Sequence, residues 1–248
     1  GANQSIALAQ AGADVCHVGS IHENDAAFKQ ALIKKGVDCR GVKCSETPSG
    51  HAIIQVTPSG ENAIVLFGGA NQTITAKTVM QALDGTKPSD WVLTQNETSS
   101  IDQVLRQAKE KQLKVAFNPA PMSESVKSLP LECIDLLIVN ETEAAALTEK
   151  DSLDDIVAVF KEKWSECEVI ITLGKAGVMM LKNNDCIKVD AFLVDAVDTT
   201  AAGDTFIGYF LSAYSNHTDA KRALIRGCAA SAIAVTREGA AQSIPTQK

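Results

Sequence analysis

The sequence has 248 residues, of which 45% are hydrophobic and 21% charged, which suits one large or two small globular α/β domains. The net charge of −7 makes nucleic acid a poor expected partner, because an acidic surface repels phosphate backbones. The seven cysteines are odd in number and form no Cys-x-x-Cys pair, which disfavours a disulfide framework or a zinc site. With no apolar run of membrane-spanning length and no signal-peptide pattern, these features predict a cytoplasmic enzyme.

Short β-rich runs alternate with helical stretches along the chain. The first predicted elements are a helix over residues 1–12, a strand over 14–19 and a helix over 24–35. Further strands are predicted at 91–94, 114–118, 135–139, 169–172 and 177–181, and further helices at 75–83, 100–111, 141–147, 153–164, 203–213 and 218–236. Continuous apolar strands such as DLLIV at 135–139 are typical of a parallel sheet that is covered on both faces. The alternation therefore predicts a doubly wound α/β sheet with crossover helices.

One segment breaks this alternation. Residues 49–67 (SGHAIIQVTPSGENAIVLF) contain two β runs around a Pro-Ser-Gly turn, which predicts an antiparallel hairpin. A hairpin inserted into an α/β chain is either an ornament at a sheet edge or a flap over a site, and the pattern alone favours the ornament.

The strongest chemical motif is VDTTAAGDTF at residues 197–206. The small residues Ala201, Ala202 and Gly203 allow close approach to a ligand, and the unpaired amides of a helix start form a site for a phosphate. A carboxylate next to such a site should repel the anion, so Asp204 is interpreted as the base that accepts a hydroxyl proton during phosphoryl transfer. The alternative is that Asp204 only favours the helix dipole from the first turn.

Two other segments have two interpretations each. Residues 170–177 (IITLGKAG) predict either a nucleotide loop at a strand end or an ordinary hairpin turn. Residues 140–143 (NETE) follow the DLLIV strand and either meet a nucleotide and its Mg²⁺ or cap the next helix. Walker-type and dinucleotide-binding motifs are absent from the sequence. His17, His51 and His217 lack partners at ligand spacing and are interpreted as ordinary core or surface residues.

Taken together, these motifs resemble the ribokinase-like carbohydrate kinase family. DTTAAGDTF is similar to the family's C-terminal signature, and five more stretches follow the family's order: GANQ at 1–4, NPAP at 118–121, NETEA at 140–144, ITLGKAG at 171–177 and AIAVTREGAAQSIP at 232–245. The resemblance implies a three-layer, doubly wound, mainly parallel sheet in a single domain over residues 1–248. It also implies that the hairpin at 49–67 is part of a small β lid over the sugar site, which reverses the interpretation from pattern alone.

The resemblance also assigns roles to individual residues. Asp204 is implied to be the catalytic base, with an anion hole of Ala201, Ala202 and Gly203. The sugar hydroxyls are implied to bind Asn3, Glu97 and Asp204. The implied nucleotide contacts are Asn140, Thr172, Leu173, Gly174, Lys175, Ala176, Gly177, Gly203 and Cys228. Glu143 is implied to bind Mg²⁺ through water, and the implied K⁺ loop comprises Asp198, Thr200, Ala234, Arg237, Gly239 and Ser243.

The implied activity is ATP-dependent phosphorylation of a sugar's primary hydroxyl, with D-ribose favoured. Fructose, a deoxy-sugar acid and a nucleoside remain alternative acceptors, a non-catalytic nucleotide-binding fragment is an alternative of another class, and a dehydrogenase is a distant third. Ile207 stands where the family commonly has Asn. The family's first strand, which carries a sugar-binding Asp, does not precede Gly1, and its last helix does not follow Pro245. If the chain begins at Gly1, reduced sugar affinity and an exposed apolar edge are expected. The resemblance also implies a homodimer in which the lid hairpins of two copies pair.

Overall fold

The structure is a computed structural model that describes residues 1–56, 62–183 and 185–247. The α-helices in these residues are α1 (Ala2–Gln10), α2 (Ala26–Lys34), α3 (Ala76–Ala82), α4 (Ile101–Glu110), α5 (Glu141–Thr148), α6 (Leu153–Lys163), α7 (Ala202–Ser215) and α8 (Ala220–Val235). The strands are β1 (Cys16–His22), β2 (Asp38–Ser45), β3 (His51–Val56), β4 (Asn62–Phe67), β5 (Trp91–Gln95), β6 (Lys114–Asn118), β7 (Leu136–Asn140), β8 (Glu168–Thr172), β9 (Val178–Lys182) and β10 (Asp185–Val189).

The central sheet has the strand order β10-β9-β8-β7-β6-β5. Strands β5 to β8 pair in parallel, whereas β9 and β10 are antiparallel additions at one side. The parallel strands end at a common edge, where Gln95 pairs with Asn118 and Asn140 pairs with Thr172. Polar side chains therefore collect at the carboxyl ends of the strands, which is where ligands bind in sheets of this kind.

Helices cover both faces of the sheet because alternate strand residues point to opposite sides. In β7, Leu137 and Val139 pack in the core cluster that contains residues of α3 to α6. Leu136 and Ile138 pack instead in the cluster that contains residues of α7 and α8. This arrangement of helix, sheet and helix confirms the predicted three-layer α/β fold.

Two smaller sheets lie outside the central one. Strands β1 and β2 pair in parallel, and Ile21 and Val42 from these strands share a core cluster with Ile6 and Ala7 of α1 and Tyr209 of α7. Strands β3 and β4 form a separate antiparallel hairpin, as predicted for this segment, and residues 57–61 of the prediction lie outside the described residues.

The chain crosses itself closely where the β3–β4 hairpin leaves the body of the protein. A Cβ at Gly50 would lie 2.7 Å from the carbonyl oxygen of Gly68. Gly69 has a φ of +48°, and a Cβ there would lie 2.3 Å from the carbonyl oxygen of Pro48. Only glycine accommodates both the close backbone contacts and the left-handed backbone at residue 69, so this crossing requires glycines at the base of the hairpin.

Most predicted elements agree with the structure to within a few residues. The predicted helix 24–35 begins as a 3-10 turn at Glu23–Asp25 before α2. Strands β2 and β10 were not predicted, because each carries polar side chains among only a few apolar ones. Within the described ranges, none of the helices has the length and apolar character that crossing a membrane requires.

Candidate active site

The start of α7 leaves main-chain amides open to a ligand. Ala201 has a φ of 61°, a left-handed conformation that turns the chain sharply into the helix. Among the described residues, the amides of Gly203 and Asp204 have no hydrogen-bond acceptor. A Cβ at Gly203 would meet no heavy atom within 4 Å, so the space in front of this turn is open. The geometry fits an anion at a helix N-terminus.

One of the amides in the predicted anion hole has a protein partner. The N–H of Ala202 donates to the carbonyl oxygen of Thr199 at 3.2 Å. This bond closes the turn before α7 and makes the amide of Ala202 a weaker candidate than those of Gly203 and Asp204. The sequence could not show this, because the bond depends on the left-handed backbone at Ala201.

The carboxylate of Asp204 lies next to the first turn of α1. The Nδ2 of Asn3 donates a hydrogen bond to Oδ2 of Asp204 at 3.1 Å, although 201 residues separate them in the chain. Asp204 is partly exposed, and among the described residues its Oδ1 accepts no hydrogen bond. A carboxylate held by an amide and placed beside open main-chain donors can accept a proton from an alcohol.

The third predicted sugar contact lies near the same turn. Oε2 of Glu97 lies 3.0 Å from the backbone nitrogen of Gly1, two residues before Asn3, and the backbone carbonyl of Glu97 accepts from Nε2 of Gln72. The structure thus brings Asn3, Glu97 and Asp204 together around the start of α1.

The predicted nucleotide loop joins two antiparallel strands, β8 and β9. The amide of Leu173 donates to the carbonyl oxygen of Gly177 at 2.8 Å, and residues Gly174–Ala176 form a 3-10 turn. Gly177 has a φ of +97°, and a Cβ there would lie 2.1 Å from the carbonyl oxygen of Val189. The hairpin-turn interpretation therefore describes the local structure, and contact with a nucleotide stays a prediction for residues 172–177.

Asn140 and Glu143 form a capping box at the start of α5. Oδ1 of Asn140 accepts from the amide of Glu143, and Oε2 of Glu143 accepts from the amide of Asn140. Glu143 is buried, and desolvation raises the pKa of its carboxyl. The capping interpretation holds for both residues, while their contact with a nucleotide or Mg²⁺ stays a prediction.

The predicted K⁺ loop is brought together by Asp198. Its two carboxylate oxygens accept from the amides of Thr200 and Gly239, at 2.8 and 3.0 Å. These hydrogen bonds, first among them those from Thr200, hold the pKa of Asp198 below its usual range. Farther along the loop, the guanidinium of Arg237 reaches the carbonyl oxygen of Ser243 at 3.5 Å, and the amide of Arg237 donates to the carbonyl oxygen of Ala234.

The remaining predicted contact, Cys228, lies on α8. Its side chain is 8% exposed and packs in the cluster that contains Phe206 and Phe210. Burial raises the pKa of its thiol to about 11, so the sulfur stays protonated and uncharged at neutral pH.

Sequence reasoning assigned no role to three polar residues near the start of α1, which are Gln95, Asn118 and His17. Oδ1 of Asn118 accepts from Gln4 and from Gln95, and its Nδ2 donates to the carbonyl oxygen of Ile138. His17, interpreted from sequence as an ordinary residue, has its Nδ1 2.7 Å from Oγ of Ser5. The available signals were that Asn118 begins the NPAP stretch and that Gln95 and Asn118 end neighbouring strands.

Comparison with known proteins gives the family. The sequence pattern described as pfkB family carbohydrate kinase matches residues 1–247. A ribokinase of Haemophilus influenzae is 38% identical over 258 residues, covering 100% of this chain and 84% of that protein. A deoxyribokinase of Salmonella typhi is 30% identical, covering 99% of this chain and 83% of that protein. The crystal structure of a Cryptococcus neoformans ribokinase in complex with ADP superposes with a TM-score of 0.87 at 31% identity, covering 99% of this chain and 85% of the other. The chain belongs to the pfkB family of carbohydrate kinases, phosphotransferases that act on a sugar hydroxyl.

Proposed function

We propose that the protein transfers the γ-phosphoryl group of ATP to the primary hydroxyl of D-ribose, giving ribose 5-phosphate and ADP. The observation that carries the proposal is the contact between Asn3 and Asp204 beside the open amides of Gly203 and Asp204. It is supported by the ribokinase of H. influenzae, with 38% identity over the whole chain.

In the proposed reaction, Asp204 accepts the proton of the sugar's primary hydroxyl while the hydroxyl oxygen forms a bond to the γ-phosphorus of ATP. The bond between this phosphorus and the bridging oxygen of ADP breaks in the same step. The amides at the start of α7 stabilise the charge that spreads over the phosphoryl oxygens. Asn3 holds the carboxylate in place, and Asn3 and Glu97 bind other sugar hydroxyls.

Two metal ions complete the proposal. Glu143 uses one carboxylate oxygen in its capping box, and its Oε1 has no hydrogen bond within the described ranges, which fits a contact to Mg²⁺ through water. Mg²⁺ would neutralise charge on the nucleotide phosphates. Both oxygens of Asp198 bind amides, so this residue would shape a K⁺ site in which main-chain carbonyls supply the ligands. A K⁺ ion there would add positive potential beside the anion site.

The proposal also covers the β3–β4 hairpin as a lid, pairing with a second copy and a cytoplasmic location. The β3–β4 hairpin would close over the sugar and exclude water, which would otherwise compete as acceptor. Ile53, Val65, Leu66 and Phe67 of the hairpin are about half exposed, which supports pairing with a second copy. All seven cysteines are free thiols, which supports a reducing compartment such as the cytoplasm.

The test of the proposed function is sugar-dependent ADP release by the Asp204→Asn variant. Loss of the base should lower kcat about 10²–10⁴-fold, while ATP binding measured by calorimetry stays unchanged. Asp195→Asn, which changes an exposed carboxylate in the loop before α7, is the matched control and should retain full turnover. Near-normal turnover by Asp204→Asn would refute the role of Asp204.

The second candidate is the same reaction on another acceptor. The deoxyribokinase of Salmonella typhi, 30% identical over nearly the whole chain, favours 2-deoxyribose as that acceptor. Comparing kcat/KM for ribose, 2-deoxyribose and fructose, with and without K⁺, separates the acceptors. ATP binding without ADP release on any sugar would support the non-catalytic alternative.

A further inference from the structure

Three consecutive side chains tie the first turn of α1 to three different elements. Asn3 donates to Asp204 of α7, and Gln4 donates to Asn118 of β6 at 3.3 Å. Ser5 bonds to His17 of β1 at 2.7 Å, the shortest of the three contacts. The position of Asn3 at the candidate sugar site therefore depends on how firmly this turn is held.

His17 sits where the pairing of β1 with β2 is irregular. From the pair Cys16–Asp38 to the pair Val18–Gly41, β1 advances two residues and β2 three, so the extra residue of this bulge lies on β2, opposite His17. A Cβ at Gly41 would lie 2.8 Å from the carbonyl oxygen of His17, so β2 can approach His17 only because residue 41 is glycine.

The imidazole ring of His17 is confined on two sides. A Cβ at Gly19 would lie 3.3 Å from its Nε2, and a Cβ at Gly1 would lie 3.8 Å from its Cε1. Burial lowers the pKa of His17 to about 4, so the ring is neutral at neutral pH. A neutral ring forms one hydrogen bond with the Ser5 hydroxyl through Nδ1.

We propose that His17 is a positioning residue of the sugar site, whose hydrogen bond to Ser5 fixes the first turn of α1 and thereby holds Asn3 against Asp204. The proposal rests on the proposed sugar kinase function for its effect on turnover. It assigns His17 no contact with the substrate, because the residue acts through Ser5 and the helix.

The test compares Ser5→Ala, His17→Phe and His17→Asn. Phe keeps a ring but offers no hydrogen bond, whereas Asn retains an acceptor near the position of Nδ1. Ser5→Ala and His17→Phe should each raise KM for the sugar about fivefold to tenfold and leave KM for ATP unchanged, the size expected for one lost hydrogen bond. His17→Asn should restore much of the sugar affinity. Unchanged sugar KM in both Ser5→Ala and His17→Phe, or no rescue by Asn, would overturn the proposal.

Ser212→Ala is the matched control. The Oγ of Ser212, on α7, donates to the carbonyl oxygen of Ala11 at the C-terminal end of α1. This variant therefore removes a buried serine hydrogen bond at the opposite end of α1. It should lower stability without changing KM for the sugar. An equal rise in sugar KM for Ser212→Ala would show that general loosening of α1 explains the effect and would refute a specific role for His17.

Amide hydrogen exchange tests the role of His17 independently of the proposed kinase activity. Amides of residues 5–7 should exchange about fivefold to tenfold faster in Ser5→Ala and His17→Phe, while those of α8 stay protected. This readout needs no substrate. If the wild-type protein phosphorylates no sugar, the kinase proposal fails, and the exchange result still decides whether His17 holds the helix. Unchanged exchange at residues 5–7 would remove the positioning role.

Discussion

His17 keeps an uncharged ring at neutral pH because burial disfavours the imidazolium form. Because the folded-state pKa of about 4 lies below the ordinary value of 6.5, the unfolded chain binds more protons than the folded protein between these two values. The free energy of unfolding should therefore fall as the pH is lowered through this window.

We predict that the wild-type protein loses stability between pH 6.5 and pH 5 more steeply than His17→Phe does. The limiting slope for one such group is about 1.4 kcal/mol per pH unit, and partial exposure of the ring reduces it. Urea unfolding at several pH values measures the effect. Parallel pH profiles for the two proteins would contradict the shifted pKa.

At the residue scale, the sequence predicts local chemistry and misses contacts between distant segments. The turn at Ala201–Asp204 could be predicted because small residues, an acid and a helix start are adjacent in the chain. The bond between Ser5 and His17 could not, because the two residues lie on different elements, α1 and β1, that only the fold brings together. The bond from the amide of Ala202 to Thr199 is local, but it depends on the left-handed backbone at Ala201, which the residue pattern does not show.

At the scale of elements, α1 and α7 cross at Gly208. A Cβ at Gly208 would lie 2.3 Å from Cβ of Ala7 and 2.7 Å from the backbone nitrogen of Leu8. These neighbours are backbone or short side chains and cannot rotate away. The crossing brings the first turn of α1, with Asn3, near the start of α7, with Asp204.

We predict that Gly208→Ala destabilises the protein by about 1–3 kcal/mol, because overpacking must separate the two helices. It should also raise KM for the sugar, since separation moves Asn3 away from Asp204. Denaturant unfolding and steady-state kinetics measure the two effects. Ser215→Ala, at the far end of α7, is the control and should be close to neutral in both. An unchanged unfolding free energy in Gly208→Ala would show that the helices have room to adjust.

Elements that are apolar throughout are easier to predict from the sequence than elements that mix exposed and buried residues. Strand β7 is apolar throughout because helices cover both of its sides, and its continuous run was recognised. Strands β2 and β10 lie at the sides of their sheets and mix exposed residues with partly buried ones, and β2 also carries two buried residues. Their polar side chains hide the strand pattern, which explains why neither was predicted.

At the scale of the whole molecule, the β3–β4 hairpin exposes apolar side chains on both of its faces. Val65 and Leu66 are adjacent in β4, so they point to opposite faces, and they are 58% and 52% exposed. Two copies that pair through their hairpins would bury these side chains. This is the arrangement expected if the lid also forms the dimer interface.

We predict that the wild-type protein sediments as a dimer and that Leu66→Asp sediments as a monomer, because a buried unpaired carboxylate opposes the interface. Ile225→Asp is the matched control, since Ile225 is an exposed apolar residue on α8 and its replacement should leave the dimer intact. A wild-type monomer, or equal loss of dimer in both variants, would exclude the hairpin as the interface.

The three side-chain hydrogen bonds of Asn3, Gln4 and Ser5 imply that the first turn of α1 tolerates no insertion or deletion. One extra residue between Asn3 and Gln4 would rotate the preceding residue by about 100° and shift it by about 1.5 Å along the axis. Asn3 would then face away from α7, even though every amino acid of the site was still present. Among natural variants of this chain, changes of length should therefore gather in the loops between elements and avoid this single helical turn.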